Sequence, residues 1–261
     1  MIESTAQVES IIQSHFISHP YCMRVPILIY HNIARPARGT LVRGGFTPPA
    51  RFARQLAYLK RRGFVFYTAA EMIEHYRERG TFPPNGIALT FDDGWKDNYT
   101  NAFPILRRFG IKATIFLVPS CIGQTTSQVL IEGEAPRQHL SLEEIKEMSR
   151  HGIEYGSHTM THRWLHRLAP HEVKFEIEEA KKQIEEITGQ PCKTLAYPAG
   201  YFSAEARRAA IEAGHIAAFS SAHGPSDRLD LYALNRTEIL RRDRFLFQFA
   251  RKVKPLLSPA N

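Results

Sequence analysis

Short apolar runs alternate with segments of helical period along this chain. Seven such runs predict β-strands: Pro26–Tyr30, Phe64–Tyr67, Ile87–Phe91, Ala113–Val118, Ile153–Ser157, Thr194–Tyr197 and Ala217–Ser220. Most of them are apolar throughout rather than alternating, which is typical of strands buried on both faces of a parallel sheet.

Helical signals fill the intervals between these runs. Apolar positions share one face of Arg51–Arg62, His171–Thr188 and Ser203–Ala213. Thr68–Glu71 and Ser141–Glu144 have the spacing of a capping box, which starts a helix. The alternation predicts a parallel α/β barrel or a doubly wound sheet. Because no linker divides it, we expect a single domain over 25–240, preceded by a helical extension over 1–24.

Two segments interrupt the alternation. Cys121–Leu140 reads as a long polar loop, of the kind that usually forms a functional lid or an insertion. The tail 241–261 has apolar residues at helical spacing among many arginines and lysines. It predicts a basic amphipathic helix, which either contacts an anionic membrane surface or packs on the barrel.

Composition narrows the class of protein. The chain has 261 residues, of which 43% are hydrophobic and 23% charged, as in globular proteins. No run approaches the roughly 18 apolar residues of a membrane-spanning helix, and the N-terminus lacks the basic start of a secretory signal. We therefore expect a cytoplasmic protein, which is membrane-associated if the tail binds a membrane surface.

Three scattered cysteines without a CxxC pair exclude a disulfide scaffold and a thiolate zinc site. The net charge of +8 favours acidic partners, but no nucleic-acid recognition motif is present and we expect no such partner.

The candidate chemistry lies at the predicted strand ends. Asp92, Asp93 and Gly94 follow one strand. Either the two carboxylates belong to a functional site at the strand end, or the three residues only form a turn. His158 and His162 follow another, and residues four apart can share one face of a helical turn. Two imidazoles and one carboxylate leave open positions on a catalytic metal, either in a hydrolase or in an iron oxygenase. Asp92 beside the ligand Asp93 is a candidate base, which favours hydrolysis.

These motifs resemble the polysaccharide deacetylases (NodB-homology domain, fourth carbohydrate esterase family). The resemblance covers roughly Val25 to Ile239. It is nearest to the poly-N-acetylglucosamine deacetylase branch. The segments that carry it are Thr90–Gly94 with Trp95–Ala102, Ile111–Phe116, Ser157–His162 and Ala196–Gly200.

The resemblance implies a distorted (β/α)₇ barrel that acts on an N-acetylated oligo- or polysaccharide of N-acetylhexosamine type. It implies a divalent metal held by Asp93, His158 and His162, with zinc expected and cobalt, nickel or iron as alternatives. By the same comparison, Asp92 is the general base that activates the metal-bound water, and His31, in the sequence Tyr30-His31, protonates the leaving amine. The metal and the backbone amide of Ala199 stabilise the oxyanion.

The chain departs from the family pattern in its third motif, which commonly carries arginine at position 196 and tyrosine at position 199. Arg236 is a candidate partner for Asp92 in place of the missing arginine. Trp95 and Tyr197 are candidates for substrate contact, and His223 is a weaker alternative to His31. Two further functions stay open: a glycan-binding pseudoenzyme, and a deacylase of an O-acetyl ester or N-formyl group.

Overall fold

The computed structural model describes residues 25–127, 134–221 and 229–256. The predicted N-terminal extension over 1–24, His223 and the last five residues of the tail lie outside these ranges. None of the helices within them has the length and hydropathy that crossing a bilayer requires.

The described strands are β1 Ile27–Tyr30, β2 Val65–Tyr67, β3 Gly86–Phe91, β4 Ala113–Leu117, β5 Thr125–Thr126, β6 Arg137–Gln138, β7 Ile153–Ser157, β8 Thr194–Ala196, β9 Ala217–Phe219 and β10 Thr237–Glu238. Eight of them form one curled sheet in the order β10-β1-β3-β4-β7-β8-β9, with β2 paired to β3. Every pair in this sheet is parallel, whereas β5 and β6 form a separate antiparallel hairpin. The seven predicted strands are all present, and the distorted (β/α)₇ fold in a single domain is confirmed.

The segment 234–238 brings the two ends of this sheet together. Leu234 pairs with Phe219 of β9, and three residues later Thr237 pairs with Leu28 of β1. Strand β10 was not predicted, because two polar residues give no hydrophobic signal. It places Arg236 at the seam of the barrel.

The described α-helices are α1 Pro49–Arg61, α2 Ala69–Arg79, α3 Phe103–Phe109, α4 Leu142–Ser149, α5 Pro170–Thr188, α6 Ala204–Glu212 and α7 Leu246–Val253. The capping boxes at Thr68 and Ser141 are confirmed, since each hydroxyl accepts the amide of the third helical residue. Loop 121–140, expected to be irregular, contains the β5–β6 hairpin, and its residues 128–133 lie outside the description.

Two hydrophobic clusters pack against the sheet. Along β3, Ile87, Leu89 and Phe91 belong to one cluster, whereas Ala88 belongs to the other. Helix α7 adds Phe249 and Val253 to the first cluster. The packing interpretation of the tail therefore holds for these two residues.

Candidate active site

Four loops at one edge of the sheet supply the predicted site residues. His31 directly follows β1, Asp92 and Asp93 follow β3, and His158 follows β7. Ala199 is the third residue after β8. Because the strands are parallel, their carboxyl ends meet at the same edge of the barrel. All five residues line one cavity of about 540 Å³, together with His162. The fold thus brings together the side chains that the motifs had singled out.

Asp93, His158 and His162 form a candidate metal centre. Their ligand atoms all lie within 4.8 Å of one another, and the Nε2 atoms of both histidines are 3.4 Å from Asp93 Oδ1. His158 Nδ1 donates to the carbonyl oxygen of Ala196 at 2.7 Å, which leaves Nε2 to face the carboxylate. A hydrogen bond of this kind, from the ring nitrogen that faces away from the centre, orients a metal-binding histidine. Two nitrogen donors and one carboxylate oxygen fit a divalent ion with open positions.

The two histidines reach this centre on an irregular loop, so the expected helical turn is wrong. Thr159 has φ 65° and His162 has φ 60°, and these left-handed residues bend the chain back toward Asp93. Glu176 of α5 holds the loop, because its carboxylate accepts from the Thr161 amide at 2.8 Å and also from the Thr161 hydroxyl. Burial lowers the pKa of His162 to about 4, so its imidazole is a neutral ligand near pH 7.

Backbone strain is concentrated at the site. Of five non-glycine residues with positive φ in the described ranges, four belong to it: Asp93, Thr159, His162 and Ala199. Gly200 follows in the same conformation, and a Cβ atom there would lie 2.2 Å from the Ser221 hydroxyl. Strained backbone of this kind persists where surrounding contacts enforce it, and it clusters at functional sites.

Asp92 is bound by Arg236 in a bidentate pair. Nη1 and Nη2 of Arg236 donate to Oδ1 and Oδ2 of Asp92, each at 2.7 Å. Both side chains are buried. Burial alone would raise the pKa of Asp92, but the charge of Arg236, followed by that of His158, lowers it below its ordinary value. Arg236 Nε also donates to the carbonyl oxygen of Ser220 at 3.1 Å. Arg236 therefore holds the Asp92 carboxylate in place, although position 196 is an alanine in this chain.

The segment that carries His31 is tied to residues just after the carboxylate pair. Asn98 Nδ2 donates to the His31 carbonyl oxygen at 2.9 Å. Asp97 accepts from the Ile33 amide at 2.7 Å and from Asn32 Nδ2 at 2.8 Å. The roles of Asp97 and Asn98 could not be predicted from the sequence, because their partners lie more than 60 residues away in the chain.

Asp97 should make stability depend on pH. Burial raises its pKa to about 6, against the opposing effect of its hydrogen bonds. Because this pKa exceeds the unfolded value, the contribution of Asp97 to stability is complete below about pH 4 and is lost as pH rises through about 6. The difference in unfolding free energy between wild type and Asp97→Asn should shrink by up to about 3 kcal/mol from pH 4 to pH 7. Urea titrations at several pH values measure it. A difference that stays flat with pH would contradict this assignment.

Trp95 and loop 121–140 hold the candidate metal ligand Asp93. Trp95 is buried and donates from Nε1 to Asp93 Oδ2 at 2.9 Å. His139 stacks on Trp95 with ring centroids 4.2 Å apart and donates from Nδ1 to the Asp93 carbonyl oxygen at 3.1 Å. The loop thus supplies a residue that sequence reasoning missed, and Trp95 lines the cavity from a fixed position.

Tyr197 does not reach the cavity. It is fully buried, and its hydroxyl donates to the Tyr232 carbonyl oxygen at 3.0 Å while its ring stacks on Phe202. The structure therefore gives Tyr197 a packing role and corrects its candidacy for substrate contact.

A comparison with known protein families identifies the family of this chain. The family described as polysaccharide deacetylase matches residues 79–218, more than half of the chain. The chain belongs to the polysaccharide deacetylase family. It is accordingly a hydrolase that deacetylates a glycan. The recognised stretch contains Asp92, Asp93, His158, His162 and Ala199.

Individual relatives agree with this assignment. The chain is 30% identical over 217 residues to YxkH of Bacillus subtilis, a protein named provisionally as a polysaccharide deacetylase; the match covers 83% of this chain and 71% of YxkH. It is 28% identical over 163 residues to the poly-β-1,6-N-acetyl-D-glucosamine N-deacetylase of Staphylococcus aureus, covering 58% of this chain and about half (52%) of that relative. The solved structure of the Streptococcus pyogenes deacetylase PplD in complex with acetate has a TM-score of 0.74 at 24% identity, covering 92% of this chain and 100% of PplD. That last similarity concerns the fold alone.

Proposed function

We propose that this polysaccharide deacetylase removes N-acetyl groups from a glycan of N-acetylhexosamine type by metal-assisted hydrolysis. The observation that carries the proposal is one cavity in which His31 and Asp92 flank the Asp93, His158 and His162 centre. The named activity of the Staphylococcus aureus relative supports this substrate class. A divalent ion on the triad, with zinc as the preferred metal, would act as a Lewis acid on the water and on the acetamide carbonyl.

The chain's own residues then move the protons. The Asp92 carboxylate, held by Arg236, accepts a proton from the attacking water as its oxygen bonds to the carbonyl carbon. The backbone amide of Ala199 donates to the oxyanion that forms. His31 gives a proton to the sugar nitrogen as the carbon–nitrogen bond breaks. One amide and one water thus yield one ammonium group and one acetate ion, and the proton held by Asp92 returns to His31 through solvent.

Aromatic side chains beside the centre suit a sugar ring. Trp164 lines the cavity, and its ring stacks on His166 with centroids 5.9 Å apart. Tyr201 completes the group at 5.4 Å from His166 and is 59% exposed. The flat faces of such residues bind the apolar faces of sugars. Because His166 and Tyr201 are exposed beside the half-buried Trp164, the group favours a chain of sugars over a single acetylated unit.

Gly45 should control the position of His31. A Cβ atom at Gly45 would lie 3.2 Å from His31 Cβ and 3.4 Å from Nδ1, whereas one at Gly44 would contact only Leu240 at 3.8 Å. We expect Gly45→Ala to lower kcat about tenfold by displacing the imidazole, with the metal content unchanged. Gly44→Ala is the matched control and should stay within about twofold. If both substitutions lowered kcat equally, the loss would not come from displacement of His31, and its proposed role would be contradicted.

A panel of acylated substrates tests the bond that is cleaved. The metal-loaded chain is given β-1,6 and β-1,4 oligomers of N-acetylglucosamine, an O-acetylated sugar and an N-formyl analogue, and both acid and free amine are quantified. The proposal predicts acetate and amine in equal amounts from an N-acetylated oligomer. Acid released only from the ester or the formamide would replace it with the alternative deacylase, and no product from any substrate would favour the pseudoenzyme.

A further inference from the structure

The N-terminal end of helix α7 exposes three consecutive bulky apolar side chains. Phe245, Leu246 and Phe247 are 48%, 38% and 70% exposed. The two phenylalanine rings stack with centroids 5.6 Å apart and planes 11° from parallel. The opposite face of the helix is already anchored, since Phe249 and Val253 are buried in the core. Packing of the helix thus leaves this apolar surface without a function in the fold.

Arginines surround these side chains. Arg51, Arg54 and Arg244 line a surface cavity of about 240 Å³ together with Phe245 and Leu246. The guanidinium of Arg244 lies 4.8 Å from the centroid of the Phe245 ring. We name these six residues the basic–aromatic patch: Arg51, Arg54, Arg244, Phe245, Leu246 and Phe247.

The cavity of the patch has an excess of positive charge. Burial, together with repulsion from Arg54 and Arg241, lowers the pKa of Arg51. Arg51 Nε is buried without a hydrogen-bond partner among the described residues. The one acid that lines the cavity, Asp243, already binds Lys252 Nζ at 2.6 Å and accepts the Leu240 amide at 2.8 Å. An anion such as a phosphate would satisfy these guanidinium groups, which bind it through paired N–H donors.

The patch lies next to the mouth of the active site. Helix α1 returns antiparallel to β1, so its first turns, with Arg51 and Arg54, lie at the carboxyl edge of the sheet, where the catalytic cavity opens. The Arg241 amide donates to the Gly44 carbonyl oxygen at 2.7 Å. Gly44 and Leu240 both line the catalytic cavity. A surface bound to the patch would therefore be close to the entrance of that cavity.

We propose that the basic–aromatic patch docks the protein on an anionic phospholipid bilayer. The phenylalanines and Leu246 enter the headgroup region while the three arginines bind lipid phosphates. A bilayer stabilises both kinds of side chain, since apolar area and cationic charge add in interfacial binding. A nucleic acid would bind the arginines through its phosphates but would not stabilise the burial of Leu246. The inference goes beyond the deacetylase function and does not depend on it.

Vesicle binding of the full chain tests the inference. Binding is measured by co-sedimentation with vesicles of phosphatidylcholine and phosphatidylglycerol in equal parts, and with phosphatidylcholine alone. The chain should bind the anionic vesicles and not the neutral ones. Arg54→Ser with Arg244→Ser should lower the partition coefficient about 30-fold, at about 1 kcal/mol per charge and 1.4 kcal/mol per tenfold. Phe245→Ser with Phe247→Ser should lower it about tenfold or more.

Matched variants separate the patch from net charge and general hydrophobicity. Arg61→Ser with Arg79→Ser removes the same charge at the C-terminal ends of α1 and α2, at the opposite edge of the barrel. Phe175→Ser removes another exposed phenylalanine, which is 56% exposed on α5. Both controls should stay within about threefold of wild type. Losses equal to those of the patch variants would overturn the proposal, as would binding to a DNA duplex with none to anionic vesicles. Circular dichroism and acetate release from a soluble oligomer verify that each variant is folded.

Discussion

Asparagine in place of Asp92 should lower the rate of acetate release by at least about 100-fold, because it removes the proposed general base from the cavity. The substitution leaves Asp93, His158 and His162 in place, so the protein should still bind its divalent ion with wild-type stoichiometry. A variant of the metal centre, His162→Ala, should instead lose both the ion and the activity. Initial rates and metal content, measured on the same protein samples, separate the two cases.

Asp92→Asn retaining more than about a tenth of wild-type activity would contradict the role of Asp92. Loss of the ion from this variant would also contradict it, since the carboxylate would then act as a ligand. Because the substitution leaves the buried Arg236 without its carboxylate, the variant should also be less stable than wild type. Rates are therefore compared at a temperature at which circular dichroism shows both proteins to be folded.

Methionine in place of Arg236 should lower the unfolding free energy by about 3 kcal/mol or more, because it leaves the Asp92 carboxylate buried without its bidentate partner. Activity should fall as well, and the loss should appear in kcat with KM nearly unchanged, since Arg236 does not line the cavity. Arg236→Lys keeps the charge but not the paired donors, so it should recover part of the stability and less of the rate.

Urea unfolding and steady-state kinetics of the two Arg236 variants measure these effects. If Arg236→Met lost stability but kept its kcat, Arg236 would be a structural residue only. If KM rose while kcat held, the residue would have to contact substrate, which its complete burial opposes.

The strands and the main chemistry of the site could be predicted because their signals are local. Short runs, most of them apolar throughout, predicted the seven strands, and Asp92, Asp93, His158 and His162 follow two of them. Since the carboxyl ends of parallel strands meet at one edge of the sheet, the fold class predicted that these four residues would lie close together. The capping boxes were readable for the same reason, because each spans only four residues.

What the sequence could not predict depends on distant contacts or on backbone geometry. Arg236 pairs with Asp92 across 144 residues, from a segment with no hydrophobic run of its own. Glu176 holds the histidine loop from a helix face on which a buried carboxylate has no distinguishing pattern. Thr159 and His162 have positive φ angles, so the segment forms an irregular loop instead of the expected helical turn. Neither residue type predicts this conformation. Gly45 matters through one close approach to His31, which only the folded chain creates.

The amphipathic tail shows how one pattern can carry two outcomes. Its apolar spacing predicted a single buried or membrane-facing stripe. In the structure, Phe249 and Val253 pack on the barrel, whereas Phe245 lies on the exposed side with Phe247. The packing interpretation therefore holds for Phe249 and Val253, whereas membrane contact through Phe245 and Phe247 is a proposal.

Acetate release as a function of bound metal is the most direct test of metal-assisted N-deacetylation by this chain. The full chain is stripped with a chelator, reloaded stepwise with zinc, and assayed at each step on a β-1,6-linked N-acetylglucosamine oligomer. We expect no release from the stripped protein and a rate that rises in proportion to bound ion until one ion per chain is held. Full activity in the stripped protein, or one bound ion with no release from any N-acetylated oligomer, would contradict it.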